Sequence, residues 1–288
     1  MKIKSLIFLL PCMAMVSCIL SVDSVTPQYS AIMDEGYGGQ CTFMVYASGQ
    51  WTCSPSSNIE GMTVSPNTGQ GDTEITLTIP ENITGMTQVS YVNFSCGSAR
   101  TPMTIYHEIP TMVLGDTEYL AVKMKDDNWW TASNIHYIEP GKEISARDFS
   151  TNTGIWYPCN PETGEADLSM NGIKTKGYFY SPEILNSICP EGWHLATFSE
   201  WKNLVDNYSC EELNKEGFNL ATVGYVVNGE SYSTEYPVTY YACGLKDGSE
   251  TQDAAILSGD SPSLEMTMGS YNNGDGVSAR CVKTINLL

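Results

Sequence analysis

Apolar and polar residues alternate along the first third of the chain. Three runs show the pattern most clearly, at residues 41–47, 75–79 and 92–96. A period of two places every second side chain on the same face of a β-strand, and the stretches between the runs are rich in the turn formers Ser, Pro, Asn and Gly. The pattern predicts an antiparallel β-sandwich over residues 31–110. Trp51 follows the first run, and we expect it to fill the core rather than to bind a sugar.

The periodicity becomes that of a helix near residue 200. Thr197 and Glu200 have the Ser/Thr-x-x-Glu spacing of a capping box, in which each side chain hydrogen-bonds an amide at a helix start. Trp201, Leu204 and Val205 follow at positions i, i+3 and i+4, which lie on one face of a helix. The pattern therefore predicts a short amphipathic helix after Thr197, with one apolar side.

The segment around this helix resembles the Cys-Pro-x-Gly-Trp-His-x-Pro-x-x-x-Glu-Trp signature of the Fibrobacter succinogenes major paralogous domain. It reads Cys189-Pro-Glu-Gly-Trp-His-Leu-Ala-Thr-Phe-Ser-Glu-Trp201, with Ala196 in place of the usual Pro. Further blocks over residues 112–285 resemble the same family in the same order. The residues that carry these motifs are Trp130, Asn134, Trp193, His194, Glu200, Trp201 and Arg280.

This resemblance implies an α+β domain over residues 111–288, with a C-type-lectin-like fold and long irregular loops. Cys189 and Cys281 both stand in motifs of the family, which implies that they form a disulfide. The bond would close a loop of about 90 residues, worth roughly 4–5 kcal/mol in the chain-entropy model.

The N-terminal strands resemble the BACON type of immunoglobulin-like module. Phe43-x-Val45-x-Ala47 is followed by Trp51 and then by Val64-Ser-Pro-x-x-Gly-x-Gly71, in the order typical of that family. The resemblance implies a spacer or accessory module of a bacterial surface protein.

The N-terminus has the features of an export signal. In residues 1–17 two lysines precede an apolar stretch of about ten residues, which is too short to span a membrane. The signal ends in Met15-Val16-Ser17-Cys18, which resembles the lipobox of bacterial lipoproteins and implies lipidation of Cys18; plain secretion is the alternative. Residues 18–30 lack an apolar period and predict a tether. We therefore expect a protein anchored to outer-membrane lipid through Cys18 and exposed at the cell surface.

The charge of the chain argues against some partners. It carries 33 acidic and 14 basic residues, for a formal net charge of −19. Such a chain repels phosphate backbones, so nucleic acid is excluded as a partner. The acidic residues are scattered among Ser, Thr, Asn and Gly, as on a solvated surface.

The cysteines fit an exported protein, in which disulfides are expected. Apart from Cys12 in the signal and the lipidation site, three cysteines fall in the first domain and five in the second. Because both numbers are odd, either each domain has at least one free thiol or one disulfide joins the domains. No Cys-x-x-Cys pair occurs, which disfavours zinc ribbons and thioredoxin-like chemistry. The sequence leaves open the pairing of Cys41, Cys53, Cys96, Cys159, Cys210 and Cys243.

The sequence contains no catalytic signature. His107, His136 and His194 are isolated from one another, and no zincin motif, Gly-x-Ser-x-Gly, P-loop or dinucleotide fingerprint occurs. We expect His194 to be a hydrogen-bonded core residue and Glu200 to serve as a helix cap. The chain is therefore expected to have no enzymatic activity and no catalytic cofactor.

The loop before the last strand is a candidate ligand site. Residues 270–276 read Ser-Tyr-Asn-Asn-Gly-Asp-Gly, in which Asn272, Asn273 and Asp275 supply the oxygen ligands that Ca²⁺ prefers. The segment is similar to the Trp-Asn-Asp segment of calcium-dependent lectins, but their Glu-Pro-Asn motif is missing. A Gly-rich hairpin turn without a ligand is the alternative.

Exposed aromatic rings would suit the apolar faces of sugars. The candidates for this role are Trp129, Tyr240, Tyr241 and Tyr271. The sequence thus favours a non-catalytic surface lipoprotein that binds glycan or a host or cell-surface protein. The alternative is a structural subunit of a surface fibre, and an uncharacterised hydrolase is the third hypothesis.

Overall fold

The computed structural model describes residues 23–56, 58–160, 163–233, 238–259 and 263–284. The predicted signal segment and Cys18 lie outside these residues. The described chain is rich in strands and divides into two compact units, with the boundary between Pro110 and Thr111. In this part of the chain no helix has both the length and the apolar character needed to cross a membrane.

In the N-terminal unit the described residues form two β-sheets. The strands are β1 (Val25–Pro27), β2 (Ala31–Asp34), β3 (Gly39–Ala47), β4 (Gln50–Pro55), β5 (Thr63–Ser65), β6 (Thr68–Gln70), β7 (Thr73–Ile79), β8 (Gln88–Cys96) and β9 (Ala99–His107). One sheet has the order β1-β3-β7-β5 and the other β2-β9-β8-β4-β6. Neighbouring strands are antiparallel, apart from the parallel pair β2–β9.

Alternate residues of both sheets meet in one apolar core. The predicted runs at 41–47, 75–79 and 92–96 are confirmed as parts of β3, β7 and β8. Trp51 is fully buried, as predicted, and its indole N–H donates to the carbonyl of Gly71 at 3.0 Å. A Cβ on Gly69 would lie 2.5 Å from this indole, so only glycine lets β6 pass over the ring.

The predicted tether is wrong from Asp23 onwards. β1 pairs with β3, and Val25 is buried in the core. The carboxylate of Asp23 accepts a hydrogen bond from the backbone N–H of Ser98 at 2.9 Å. A strand of three residues contains too few alternations for its sequence to differ from that of a polar linker.

The C-terminal unit combines short strands with short helices. Its elements are β10 (Thr111–Leu114), β11 (Thr117–Lys123), β12 (Trp129–Thr131), β13 (Ile155–Trp156), β14 (Cys159–Asn160), β15 (Glu165–Ala166), α1 (Met170–Lys176), β16 (Phe179–Tyr180), α2 (Pro182–Leu185), β17 (His194–Leu195), α3 (Phe198–Asn207), α4 (Cys210–Lys215), β18 (Val226–Val227), β19 (Ser231–Tyr232), β20 (Val238–Ala242), β21 (Thr251–Ser258), β22 (Glu265–Asn272) and β23 (Cys281–Lys283). One sheet has the order β10-β11-β12-β23-β17, and another has the order β20-β21-β22. The pairs β13–β16, β14–β15 and β18–β19 are small separate ladders.

The predicted helix after Thr197 is confirmed as α3. Its capping box is complete, since the Glu200 carboxylate accepts from the Thr197 backbone N–H at 2.8 Å and the Thr197 hydroxyl accepts from the Glu200 N–H. Trp201 and Leu204 are buried, as the apolar spacing predicts. A second capping box at Ser209 starts α4 and was not predicted, although Ser209-x-x-Glu212 has the same spacing.

Candidate functional site

A cleft of about 550 Å³ opens on the C-terminal unit between β11, the segment that follows β12, and α1. It is larger than two further clefts of about 290 and 460 Å³ in the same unit. The cleft is lined by Asp116, Thr117, Glu118, Tyr119, Leu120, Ala132, Ser133, His136, Met170, Ile173, Lys174, Tyr178 and Asn219.

Tyr119 and His136 form the floor of the cleft. Strand alternation in β11 buries Tyr119 and exposes its neighbours Glu118 and Leu120. The Tyr119 hydroxyl accepts a hydrogen bond from the backbone N–H of His136 at 3.0 Å, and the two rings lie 4.9 Å apart between centroids. These contacts fix the imidazole on an aromatic base.

Tyr178 is held at the side of the cleft by the glycine that precedes it. Gly177 has a φ of +77°, and a Cβ there would lie 2.6 Å from the Cβ of Asn134. The backbone N–H of Tyr178 donates to the Ile135 carbonyl at 2.9 Å. This close approach, available to glycine alone, leaves the half-exposed Tyr178 ring facing the cleft.

The start of α1 is fixed by polar contacts outside the cleft. The Ser169 hydroxyl caps the helix by accepting from the Gly172 N–H at 2.9 Å. Asp167 pairs with Lys176 at 2.7 Å, and this hydrogen bond, together with one from Ser169, lowers the pKa of Asp167 to about 2. Lys174, one turn into the helix, is exposed and lines the cleft.

The cleft presents neutral and charged hydrogen-bonding groups together. Burial lowers the pKa of His136, and Lys174 adds to the shift, which favours the neutral imidazole. Its Nδ1 lies 3.4 Å from the Asn134 carbonyl, to which an N–H would donate, and this tautomer leaves Nε2 as an acceptor. Burial raises the pKa of Tyr178, which keeps its hydroxyl protonated. Ser133 and Asn219 add a hydroxyl and an amide, whose side chains make no hydrogen bond within the described residues. Such a set suits a polar, uncharged ligand.

The predicted calcium ligands lie in the turn that follows β22. The buried Asp275 carboxylate accepts from the backbone N–H groups of Asn272 at 2.9 Å and of Asn228 at 3.0 Å. The side-chain oxygen of Asn273 accepts from Gln252 at 2.9 Å. The turn thus brings the three predicted ligands together but uses the side-chain oxygens of Asp275 and Asn273 in internal hydrogen bonds. No group of three or more His, Cys, Asp or Glu side chains among the described residues is placed to hold a metal ion.

The predicted sugar-stacking role is wrong for three of the four aromatic residues. Trp129, Tyr241 and Tyr271 are at most 3% exposed, so a sugar ring cannot reach them. Tyr241 lies 5.0 Å from Trp201 between ring centroids, inside the core. Tyr240 is half-buried and packs edge-on against Tyr225 at 4.6 Å. Tyr240 and Tyr241 are neighbours in β20, whose two faces are both largely covered, so the sequence alone does not show which ring is exposed.

The family-motif residues at the centre of the unit form one buried network. Arg280 is fully buried and donates to the side-chain oxygen of Asn134 at 2.7 Å, to the carbonyl of Thr131 at 2.7 Å and to that of Phe218 at 2.9 Å. Trp130 is also fully buried, and its ring lies 4.9 Å from that of Trp201. These residues support the fold and do not line the cleft.

His194 differs from the prediction in its exposure. Its side chain is 43% exposed rather than buried in the core, and its Nε2 lies 2.8 Å from the Glu200 carboxylate. The hydrogen bond to Glu200 raises the pKa of His194. Burial raises the pKa of Glu200, but the hydrogen bonds from His194 and Thr197 outweigh it and the net shift is downward. Trp193 is half-buried beside it, with the Lys283 ammonium 5.8 Å from its ring.

The structure contains a disulfide between Cys189 and Cys281, with an S–S distance of 2.02 Å. It joins the segment before β17 to the first residue of β23, and these two strands also pair directly. Five cysteines are buried and have no disulfide partner in the described chain: Cys53, Cys96, Cys159, Cys210 and Cys243.

Comparison with known proteins supports the family resemblance for part of this unit. The family model described as the Fibrobacter succinogenes major domain matches residues 124–216, a narrower range than the sequence blocks suggested. A search of curated proteins gave no match. One similar solved structure is the Bacteroides ovatus GH5 xyloglucanase in complex with a XXXG heptasaccharide, at 19% identity and a TM-score of 0.29, with coverage of 36% of this chain and 23% of that chain. The residues that the family model matches include part of the cleft, from Ala132 to Tyr178.

Proposed function

We propose that the protein is a non-catalytic binding protein and that the cleft of the C-terminal unit holds its ligand, with a glycan as the leading candidate. The observation that carries this proposal is the half-exposed Tyr178 ring beside hydrogen-bonding groups that make no hydrogen bond within the described chain, Ser133 and Asn219. Binding sites commonly combine an apolar surface with a few polar groups that fix orientation.

The chemistry of the lining supports a sugar. A pyranose ring has an apolar face that packs on an aromatic ring and a rim of hydroxyls that donate and accept. Tyr178 offers the ring, and the Nε2 of a neutral His136 offers an acceptor, since its Nδ1 faces the Asn134 carbonyl at 3.4 Å. Leu120 and Met170, which are 54% and 67% exposed, extend the apolar wall. Asp116 and Glu118 add carboxylates, which accept from hydroxyl groups.

The positions of the two histidine–carboxylate pairs, both away from the clefts, favour binding over catalysis. Asp34 and His107 lie 3.6 Å apart inside the N-terminal unit, and His194 with Glu200 belongs to a helix cap. Neither pair lines one of the three clefts described above. A catalytic histidine–carboxylate pair would have to lie where a substrate can reach it.

We further propose that the chain is a surface lipoprotein, anchored to the outer membrane by lipid attached to Cys18. In this proposal the N-terminal unit is a BACON-like, immunoglobulin-type spacer and the C-terminal unit a C-type-lectin-like domain. The export signature, the face-to-face β-sheets and the family match at residues 124–216 support this arrangement.

A glycan-array screen of residues 19–288 tests the binding proposal. We expect selective binding that Tyr178→Ala reduces at least about fivefold, because a lost stacking contact is worth about 1 kcal/mol or more. Tyr106→Ala is the matched control, since Tyr106 is a half-exposed tyrosine in the other unit. Binding that both variants retain would place the site elsewhere, and the absence of binding to any glycan would refute the glycan proposal.

The same screen in calcium and in EDTA tests the metal prediction. Loss of binding in EDTA would support a calcium site at Asn272, Asn273 and Asp275. Equal binding in both buffers would assign recognition to the cleft alone, as the internal hydrogen bonds of that turn favour.

A structural role at the cell surface is the second candidate. It is favoured by a long strand edge in the C-terminal unit, whose properties lead to a separate proposal.

A further inference from the structure

β22 is an unusually long edge strand for this molecule. It spans eight residues at the end of the sheet β20-β21-β22. The edges of the other main sheets in the described chain, β1, β2, β5, β6, β10 and β17, have four residues or fewer. β20, at the opposite edge, is covered, because its main chain bonds to Gly224 and Ser278. Short or covered edges prevent strand-to-strand association, and β22 has neither protection.

The hydrogen-bond pattern identifies the groups that face outwards from β22. The Asn273 N–H donates to the Glu250 carbonyl, which sets the alternation along the β21–β22 ladder. On the other side of β21, the Asp253 carbonyl accepts from the Cys243 N–H, so the odd-numbered residues of β21 bond to β20 and the even-numbered ones bond to β22. It follows that Met266, Met268 and Ser270 direct their N–H and C=O groups away from β21. Within the described residues these groups have no hydrogen-bond partner.

We propose that β22 pairs with β22 of a second copy of this chain in an antiparallel, two-fold symmetric ladder. One register places Met268 opposite the partner's Met268 and Met266 opposite the partner's Ser270. Each outward residue then exchanges two hydrogen bonds with its counterpart, about six in total. The two sheets become one continuous sheet, with α3 of both copies on the same face.

Charge and side-chain pattern fit this self-pairing. Glu265 is the one charged residue in β22, and the register places it opposite the partner's Tyr271, so no like charges lie directly opposite. The strand contains no Lys or Pro, the residues that commonly block an edge. The net charge of −19 opposes association at long range, and this repulsion is screened beyond about 8 Å at physiological salt.

Sedimentation of residues 19–288 over a wide concentration range tests the association. We expect a monomer–dimer equilibrium that shifts towards the dimer as salt is added. Ser270→Pro removes one outward N–H per copy without touching the β21 ladder, and it should weaken the dimer roughly tenfold to a hundredfold. Ser270→Ala keeps the main chain intact and should leave the dimer unchanged.

Cysteine cross-linking tests the register itself. Met268→Cys places two thiols opposite each other at a Cα separation of about 5.5 Å, which a disulfide can span. Met266→Cys is the matched control, because its two copies lie about 13 Å apart along the strands. We expect an oxidised dimer from the first variant alone, with both variants folded by circular dichroism. A chain that stays monomeric, or a dimer that neither cross-links at residue 268 nor responds to Ser270→Pro, would refute the proposal.

Discussion

Replacing Arg280 by Met should destabilise the C-terminal unit by about 3 kcal/mol. The guanidinium is fully buried and donates to neutral acceptors, namely the Asn134 side chain and the carbonyls of Thr131, Phe218 and Asn219. Its Cζ also lies 4.6 Å from the centroid of the Phe218 ring. Methionine occupies part of the same volume but donates nothing, so the acceptors lose their partners.

The magnitude follows from two opposing terms. Three well-buried acceptors, Asn134 Oδ1 and the carbonyls of Thr131 and Phe218, are orphaned at about 1–3 kcal/mol each, or about 3–9 kcal/mol together. Against this, burial lowers the pKa of Arg280 to about 10 from 12.5. At about 1.4 kcal/mol per pKa unit, removing the charge recovers about 3 kcal/mol. The net loss is therefore about 0–6 kcal/mol, with a midpoint of about 3 kcal/mol, which is a large fraction of the 5–15 kcal/mol that is typical of a domain.

Urea denaturation followed by tryptophan fluorescence measures this loss. Arg147→Met is the matched control, because Arg147 is exposed in the same unit, and it should change the free energy of unfolding by less than about 0.5 kcal/mol. In an Asn134→Leu background the cost of Arg280→Met should fall by about 1–3 kcal/mol, since one acceptor is already absent. An Arg280→Met variant as stable as the wild type would contradict the prediction, because the cost of burying the charge would then equal the value of its hydrogen bonds.

Three further measurements test other parts of the structure. Replacing Cys189 and Cys281 by Ala should lower the free energy of unfolding by about 4–5 kcal/mol, the value for a loop of this length, and a loss below 1 kcal/mol in urea would contradict the entropic account. Trp201→Ala should cost about 3–5 kcal/mol by thermal or urea unfolding, and a smaller loss would mean that the cavity collapses. Burial raises the pKa of Asp34 from 3.8 to about 6, so the folded state binds this proton more tightly, and the contribution of Asp34 to stability should fall by about 3 kcal/mol as the pH rises through this interval. Asp34→Asn should remove that fall, and parallel stability–pH curves for the two proteins would contradict the assignment.

Local chemistry made part of the fold predictable from the sequence. The runs in β3, β7 and β8 are long enough for a period of two to be unambiguous. The start of α3 was predictable because Thr197 and Glu200 are both needed for one capping geometry. β1 was missed because three residues carry almost no periodicity, and its stability comes from pairing with β3.

The candidate site was not predictable in the same way. Trp129, Tyr241 and Tyr178 all stand in similar aromatic-rich segments of the sequence. In the structure Trp129 and Tyr241 face the core, whereas Tyr178 faces the cleft. The difference depends on which faces of the unit are covered, and that is decided by segments distant in the chain. The one local signal was Gly177, whose positive φ and close approach to Asn134 place the next residue at the cleft.

The buried arginine network and the cleft are physically connected, which relates the stability of the unit to its binding site. Arg280 donates to the carbonyl of Asn219 at 3.2 Å, and the side chain of Asn219 lines the cleft. It also holds Asn134, which donates to the Lys176 carbonyl at the end of α1 and contacts Gly177 ahead of Tyr178. Two walls of the cleft, from distant parts of the sequence, therefore share one buried side chain. Because a guanidinium has several donors in a fixed plane, it can hold both walls in a way that the single ammonium of a lysine cannot. Arg280 and Asn134 thus act on the cleft indirectly, by setting the positions of the side chains that a ligand would meet.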